Sequence, residues 1–306
     1  MATPWQAEKT VDQEMALALI RAQFPSIHAQ SMRFLGAGWD NTAFIVDEEK
    51  IFRFPRRAIS LPLLEAEATF LPKIAAHLPL PIPIPKWMGA PSSLFPWPFI
   101  GYQKLKGATA CSIALLEDER VLLAKPLALF LKALHALPLK LFAGCDPKTE
   151  ENLDRINGKE LTLKIAGLFQ ELFDLRLPFN PKGLERVIAS SQNFRPPQAQ
   201  SLVHGDLYVR HLLLDAQKAL CGVIDWGDTH IGDPAIDLAV AHSVLPKRAH
   251  FQFREAYGEI DESTWNLARL RAIFSSTYLV LFGHNIGDID LQREGAYALS
   301  MMTSIE

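Results

Sequence analysis

The stretch Leu202-Val203-His204-Gly205-Asp206-Leu207-Tyr208-Val209-Arg210-His211-Leu212-Leu213-Leu214-Asp215, followed closely by Gly222-Val223-Ile224-Asp225-Trp226-Gly227-Asp228, decides how the rest of the chain is read. Its pattern predicts an apolar strand end, a polar loop, a short strand, a turn, a second short strand and an acidic loop entered directly from that strand. Such a hairpin brings Asp206, His211 and Asp225 to one end of two neighbouring strands, where their side chains converge. From Ser201 to Asp237 the carboxylates of Asp206, Asp215, Asp225, Asp228, Asp233 and Asp237 stand against Arg210 and Lys218. A divalent cation relieves that repulsion, and hard cations prefer oxygen ligands. Asp215 and Asp228 suit the capping of turns, whereas Asp206 with Asp225 reads as a functional pair.

The chain has 306 residues, 49% hydrophobic and 21% charged, enough for one large domain or two moderate lobes. A net charge of −3 and the lack of a dense Lys/Arg block argue against a nucleic-acid partner. The local basic run Arg53-Phe54-Pro55-Arg56-Arg57 reads as a solvated strand end. No apolar run is long enough to span a membrane, and Met1-Ala2-Thr3-Pro4-Trp5-Gln6 lacks the basic start and apolar core of a secretion signal, so cytoplasmic residence is the default expectation. Cys111, Cys145 and Cys221 are odd in number and widely separated, which suggests neither a disulfide framework nor a zinc pattern.

The spacing of Val11, Met15, Ala18, Leu19 and Phe24 predicts an amphipathic helix over 11–24. Strands follow at about 31–37, 43–46 and 51–54, with the glycine turn Gly36-Ala37-Gly38-Trp39-Asp40-Asn41 between the first two. Glycines there let backbone N–H groups approach an anion, although a two-glycine loop is as readily a plain hairpin connection. Arg53 alternates with Phe52 and Phe54 and so faces away from them, where a fixed cation meets a phosphate. Residues 61–78 read as a helix whose buried stripe includes Glu67. A buried acid needs a partner, and Arg53 is the nearest candidate, with Lys73 or exposure at the helix margin as alternatives.

Between residues 79 and 98 seven prolines fall in twenty residues, predicting a stiff connector that becomes an edge strand. A strand at 99–107 leads to a lobe boundary at about 104–109. Beyond it the periodicity turns helical at 117–137, 150–177, 181–190, 233–244, 249–257, 261–281 and 289–304. The fold class is α+β. A small antiparallel-sheet lobe, residues 1–105, joins a larger, mostly helical lobe, residues 106–306, that carries the acidic hairpin.

A loop carboxylate such as Asp206 can orient a hydroxyl and take its proton late in a transfer without a strongly raised pKa. Asp225 would hold magnesium between nucleotide oxygens, and His211 would complete a second metal's shell or contact a phosphate. Every part is positional or electrostatic, as phosphoryl transfer requires. His204 is expected to pack inward and hydrogen-bond backbone near Asp225. Asp233-Pro234 starts a helix, and Asp237 can tie that turn back to the loop.

These blocks resemble the aminoglycoside phosphotransferase family, including its macrolide-phosphorylating branch, which shares the protein-kinase architecture. His204-Gly205-Asp206 is similar to the family's catalytic loop. Ile224-Asp225-Trp226-Gly227-Asp228 is similar to its metal-binding segment, and Gly232-Asp233-Pro234-Ala235-Ile236-Asp237-Leu238-Ala239 to the block after it. The likeness extends through the glycine turn, the Arg53 strand, the Glu67 helix, the proline-rich segment and Leu134-His135-Ala136-Leu137-Pro138. It implies a protein-kinase-like two-lobed fold with Asp206 as the catalytic base and Asp225 as a Mg2+ ligand. It also implies that Arg53 lies toward the phosphates of ATP or GTP with Glu67 as the helix acid that pairs with it, that Gly36, Gly38 and Asn41 cover the nucleotide, and that Gln103 and Leu105 lie near its base.

The acceptor implied is a small hydroxylated molecule, with aminoglycoside and macrolide antibiotics as candidates; 150–190 and the final helices would shape its pocket. Where the family usually has Asn as second magnesium ligand, this chain has His211, so the site could hold a softer metal, bind magnesium weakly or rely on one ion. Two other readings stand beside this one. The chain could be a nucleotide-binding protein whose turnover is impaired by His211, or a metal-dependent phosphoester hydrolase built from His204, Asp206, His211, Asp225 and His230. The sequence leaves the nucleotide preference and the oligomeric state open.

Overall fold

The computed structural model of the chain describes residues 7–38, 40–142, 154–176, 180–190, 195–198 and 200–303. These fall into two compact units. The first is Met1–Ala76 with Ile82–Leu105, and the second is His77–Pro81 with Lys106–Glu306.

The first unit is a five-stranded antiparallel sheet, β1 (Met32–Ala37), β2 (Asn41–Val46), β3 (Lys50–Pro55), β4 (Pro85–Gly89) and β5 (Phe99–Gln103), in the order β1-β2-β3-β5-β4. Proline cannot donate to a ladder, so the segment that opens on Pro85 takes the edge. The alternation of β3 turns Phe52 and Phe54 into an aromatic core, where Phe54 stacks on Phe99 with ring centroids 4.6 Å apart. The helix Gln13–Gln23 closes this core with Ala16, Leu19 and Ile20. It starts where the Asp12 carboxylate accepts the Met15 N–H at 2.8 Å, two residues later than the apolar spacing alone suggests.

The second unit sets small strands among helices. β6 (Ala108–Thr109), β8 (Leu212–Leu214) and β9 (Leu220–Val223) form one antiparallel sheet, while β7 (Ser201–Val203) pairs antiparallel with β10 (His230–Gly232). The helical stretch expected over 117–137 is two helices, Glu117–Leu122 and Ala124–His135. Pro126 has no N–H to give the Leu122 carbonyl and its ring crowds that position, which breaks the run at Leu123. The helix expected at 150–177 spans Gly158–Asp174. The Asn157 side chain accepts the Lys159 and Glu160 N–H groups and so fixes its start; residues 150–153 and 177 lie outside the described residues. The helix Glu262–Ile286 packs on Ile289–Thr303, Ala235–Val244 and Gly158–Asp174. Asp261 caps its start, and Gly287 ends it in the left-handed conformation at φ 71°.

Candidate active site

The loop after β7 is shaped by groups that do no chemistry. Gly205 has φ 85°, and a Cβ there would come within 2.2 Å of the Asp228 carbonyl oxygen, so the residue before Asp206 has to be glycine. Asp237, fully buried on the helix Ala235–Val244, accepts the His204 N–H at 2.7 Å and the Gly205 N–H at 2.9 Å. Its Oδ2 also accepts His135 Nε2–H at 3.1 Å, which leaves His135 Nδ1 to accept the Tyr257 hydroxyl at 2.9 Å. Burial works against the Asp237 charge, but the His135 hydrogen bond and the Gly205 N–H hold its carboxyl below the ordinary range.

His204 turns inward as expected. Its Nε2–H donates to the Ile224 carbonyl at 3.0 Å, so Nδ1 is the acceptor and faces the Asp206 N–H at 3.4 Å. Burial lowers its pKa, so a neutral imidazole with a fixed tautomer ties the Asp206 loop to the segment entering Asp225. Its ring packs on the fully buried Trp226, centroids 4.8 Å apart. With both nitrogens engaged, His204 has no lone pair to offer a metal. His230 Nδ1–H donates to the Asp228 carbonyl at 2.7 Å.

His211 links the two acidic residues. Nδ1 lies 2.7 Å from the Asp206 carbonyl and Nε2 lies 3.2 Å from Asp225 Oδ2. Both partners are acceptors, so both ring nitrogens donate and the ring is an imidazolium. Burial works to strip that charge, yet the field and hydrogen bond of Asp225, with the smaller contribution of Asp206, hold the pKa above its ordinary value. In this arrangement His211 orients the two aspartates and presents no lone pair; to ligate a cation, Nε2 would have to let go of Asp225. Tyr208 lies over the ring, centroids 4.3 Å apart.

Asp206 and Asp225 keep accessible carboxylates, with side chains 40% and 53% exposed. Asp225 sits at φ 64°, a left-handed conformation that aspartate tolerates better than most side chains and that turns the chain sharply after β9. The Asp206 carboxyl is pushed above the ordinary range by burial, and further by the charges of Asp228 and Asp225, against the His211 and Arg271 cations. Asp215 is the turn cap expected, accepting the Gln217 and Ala219 N–H groups at 2.9 Å each. Asp228 instead pairs with Arg155 at 2.8 Å.

Among the described residues no group of three or more His, Cys, Asp or Glu is assembled as a metal cage. An exposed carboxylate at Asp225 with Asp206 nearby nevertheless suits magnesium, which is held by one or two carboxylates together with substrate phosphates.

The first unit carries the other residues singled out in the sequence. Arg53 Nη1 lies 2.7 Å from Glu67 Oε2, with the side chains 10% and 2% exposed, so the buried acid has the expected partner. Replacing Glu67 by Ala takes a carboxylate away from a buried guanidinium and is expected to destabilise the fold by roughly 3 kcal/mol, measured by urea denaturation; Glu67→Gln, which keeps an acceptor, should cost less. Gly36 and Gly38 have open space where a Cβ would stand, so packing does not explain why they are glycine. Gly38 N–H donates to the Asn41 carbonyl at 2.9 Å, while Asn41 Oδ1 is buried with no hydrogen-bond partner among the described residues.

The basic run is more than a solvated strand end. Arg57 pairs with Asp40 at 2.6 Å and Arg56 bonds the Gly38 carbonyl, so the segment just after β3 fastens the turn that precedes β2. Gln103 is exposed opposite Lys50 in the β3–β5 ladder, and the half-buried Leu105 is the last residue of the first unit.

Periodicity could not reveal Arg155, Arg271 and Tyr208 as neighbours of the acidic loop. Arg155 and Arg271 reach it from distant helical segments, and Tyr208 stands inside the loop as an unremarked apolar-polar residue. The signal available was their charge, or ring, in otherwise apolar surroundings.

A small antiparallel-sheet unit followed by a larger helical unit, with a carboxylate in a loop and a second one after the next hairpin, defines a kinase-like phosphotransferase. The sequence model of the phosphotransferase enzyme family (APH) matches residues 31–273, and the chain belongs to that family.

The chain is 26% identical over 200 residues to viomycin phosphotransferase of Streptomyces vinaceus, covering 64% of this chain and 67% of that protein. It is 23% identical over 269 residues to the uncharacterized protein YcbJ of Bacillus subtilis (strain 168), covering 81% and 82%. The GDP complex of wild-type aminoglycoside 2'-phosphotransferase-IIIa is similar at TM-score 0.66 and 26% identity, over 96% of this chain and 99% of that one. A macrolide 2'-phosphotransferase type I shares the fold at TM-score 0.61 and 23% identity, over 98% and 99%. The protein is a nucleotide-binding enzyme of the kinase-like class.

Proposed function

We propose that the enzyme moves the γ-phosphoryl group of ATP or GTP, with Mg2+, to a hydroxyl of a small molecule, and that it does so in the cytoplasm. The observation that carries this is the His211 bridge, which places the backbone of Asp206 and the carboxylate of Asp225 on one ring while leaving both carboxylates accessible.

Asp206 orients the acceptor hydroxyl and takes its proton as the oxygen–phosphorus bond forms, a role for which its raised pKa makes it a better base. Asp225 would hold the cation, which neutralises charge on the donor phosphates when bound. His211 keeps Asp225 turned toward that position. Gly36, Gly38 and the unpartnered Asn41 Oδ1 are the groups proposed to meet the nucleotide in the first unit, with Arg53, steadied by Glu67, toward its phosphates. Gln103 and Leu105 are assigned to its base. The relatives named for viomycin and aminoglycosides make a hydroxylated antibiotic one candidate acceptor class.

Removing divalent cations with EDTA should abolish transfer, and adding back Mg2+ should restore it. Asp225→Asn should raise the Mg2+ concentration for half-maximal rate by roughly tenfold or more. Full transfer in EDTA, or an unchanged Mg2+ requirement in the variant, would remove Asp225 from this role. The assay is labelled phosphate transfer from ATP and from GTP to a panel of hydroxyl compounds that includes kanamycin and viomycin.

A further inference from the structure

Asp237 holds the catalytic loop, and something has to hold Asp237. Its Oδ2 accepts both the His204 N–H at 2.7 Å and His135 Nε2–H at 3.1 Å, while Oδ1 accepts the Gly205 N–H at 2.9 Å. One carboxylate oxygen thus joins the backbone two residues before Asp206 to a ring on the helix Ala124–His135. The terminal torsion of an aspartate is broad, so three donors shared between two oxygens are what keep this carboxylate at one angle. Two of those donors belong to the loop itself. His135 is the one that anchors Asp237 from outside it.

The imidazole is held in turn at its other nitrogen. The Tyr257 hydroxyl donates to Nδ1 at 2.9 Å, and the two rings meet edge to face with centroids 5.9 Å apart. Tyr257 is half-buried, ends the helix His250–Tyr257 and stacks on the buried Phe253, centroids 6.2 Å apart. Burial, with the charges of Asp237 and Asp233, raises the pKa of this phenol, so the hydroxyl keeps its proton. Neutral imidazole has two tautomers, and only the one with hydrogen on Nε2 can donate to an ionised Asp237. A hydroxyl donated to Nδ1 selects that tautomer. Without the hydroxyl, the form with hydrogen on Nδ1, which turns a lone pair toward the carboxylate, becomes accessible.

We propose that Tyr257 is a positioning residue for phosphoryl transfer: its hydroxyl fixes the tautomer and orientation of His135, which fixes Asp237 and so sets where the loop holds Asp206. This rests on the phosphotransferase reading above and adds to it a control point on a separate helix. The series runs from Tyr257 to His135 to Asp237 to the His204 and Gly205 amides, and Asp206 is the next residue. No proton has to move along it. Each bond only restricts the angle of the group that follows.

Tyr257→Phe removes one oxygen and keeps the ring that stacks on Phe253. It should lower kcat by about fivefold to tenfold, the worth of one hydrogen bond, while the KM for nucleotide stays within about twofold. His135→Leu should lose more, and His135→Gln, which keeps a donor for Asp237, should recover part of that loss. In the His135→Leu background, adding Tyr257→Phe should cost less than about twofold, because its route to the loop is gone. Losses that multiply in the double variant would overturn the relay, as would parental kcat in Tyr257→Phe.

A second readout needs no turnover and only the conservative variant. Hydrogen exchange of the His204 and Gly205 amides, followed by NMR on 15N-labelled enzyme, should quicken by about fivefold to tenfold in Tyr257→Phe, while amides in the middle of the helix Glu262–Ile286 keep their parental rates. Unchanged exchange at the two loop amides, or an equal rise throughout that helix, would overturn the positioning role. Quickened exchange at the loop in an enzyme that transfers phosphate to no compound would instead fault the phosphotransferase reading and leave the link from Tyr257 to the loop standing.

Discussion

Asp206→Ala enzyme is expected to bind ATP or GTP as the parent does and to transfer phosphate roughly 10³-fold more slowly, the usual scale for loss of a positioned general base. Its carboxylate makes no hydrogen bond within the loop, lying 3.8 Å from His211 Nδ1. The loop's hydrogen bonds run through the backbone of Asp206 and through His204, Gly205 and His211, and an alanine at 206 keeps them all. The variant should therefore be at least as stable as the parent near neutral pH.

The sign follows from linkage. A carboxyl whose folded pKa is raised penalises the fold once ionised, a penalty absent below the unfolded pKa and fully present above the folded one. Removing the group removes the penalty. For the same reason the parent's transfer rate should fall on acidification at a pH above the ordinary carboxylate range, as the base takes up its proton. Equilibrium nucleotide binding, single-turnover transfer and urea denaturation measured on one preparation separate these effects. Transfer near the parent rate would exclude Asp206 as the base.

Asp237→Ala is expected to do the opposite in stability and to reach a similar loss in rate by another route. The carboxylate is fully buried and satisfies the His204 and Gly205 N–H groups together with His135. Alanine leaves those donors buried without an acceptor, a cost of roughly 3–5 kcal/mol. Because the folded pKa is lowered, the stabilisation is present above the unfolded carboxylate pKa and is lost as pH falls through the folded value. The parent should thus lose stability on acidification in a range where Asp237→Ala shows a flatter dependence.

Transfer should fall because the His204–Asp206 loop loses its anchor, although Asp237 touches neither substrate. Asp237→Asn, which keeps one acceptor oxygen, should recover part of both. Denaturation curves across pH for the parent and both variants check this. Parent-like stability in Asp237→Ala would mean that the loop is held by other contacts.

Much of the site could be read from the chain because its chemistry is local. Asp206, His211 and Asp225 lie within twenty residues on a hairpin whose strand pairing fixes their spacing. Glycine at 205 and the inward turn of His204 follow from the same short segment. The Arg53–Glu67 pair was readable for a different reason: a charge on the apolar stripe of a helix requires a counter-charge, and the preceding strand supplied one.

Other features were hidden because they depend on groups far apart in sequence. The break at Leu123 follows from Pro126 and could have been read from sequence, yet the apolar spacing on either side masks it. That His211 donates through both nitrogens depends on where the Asp206 carbonyl and the Asp225 carboxylate come to rest. Arg155 reaches Asp228, and Arg271 reaches the Arg155 carbonyl, only because Glu262–Ile286 packs against Gly158–Asp174.

The sequence by itself determined the hairpin that holds the side chains proposed for phosphoryl transfer and the order of sheet and helix that presents them, because periodicity and short-range turn geometry act over a few residues. Tertiary structure alone decided the protonation of His204 and His211, the burial of Asp237 and the pairing of Arg155 with Asp228. Those depend on desolvation and on the distances between charges, which no local pattern encodes.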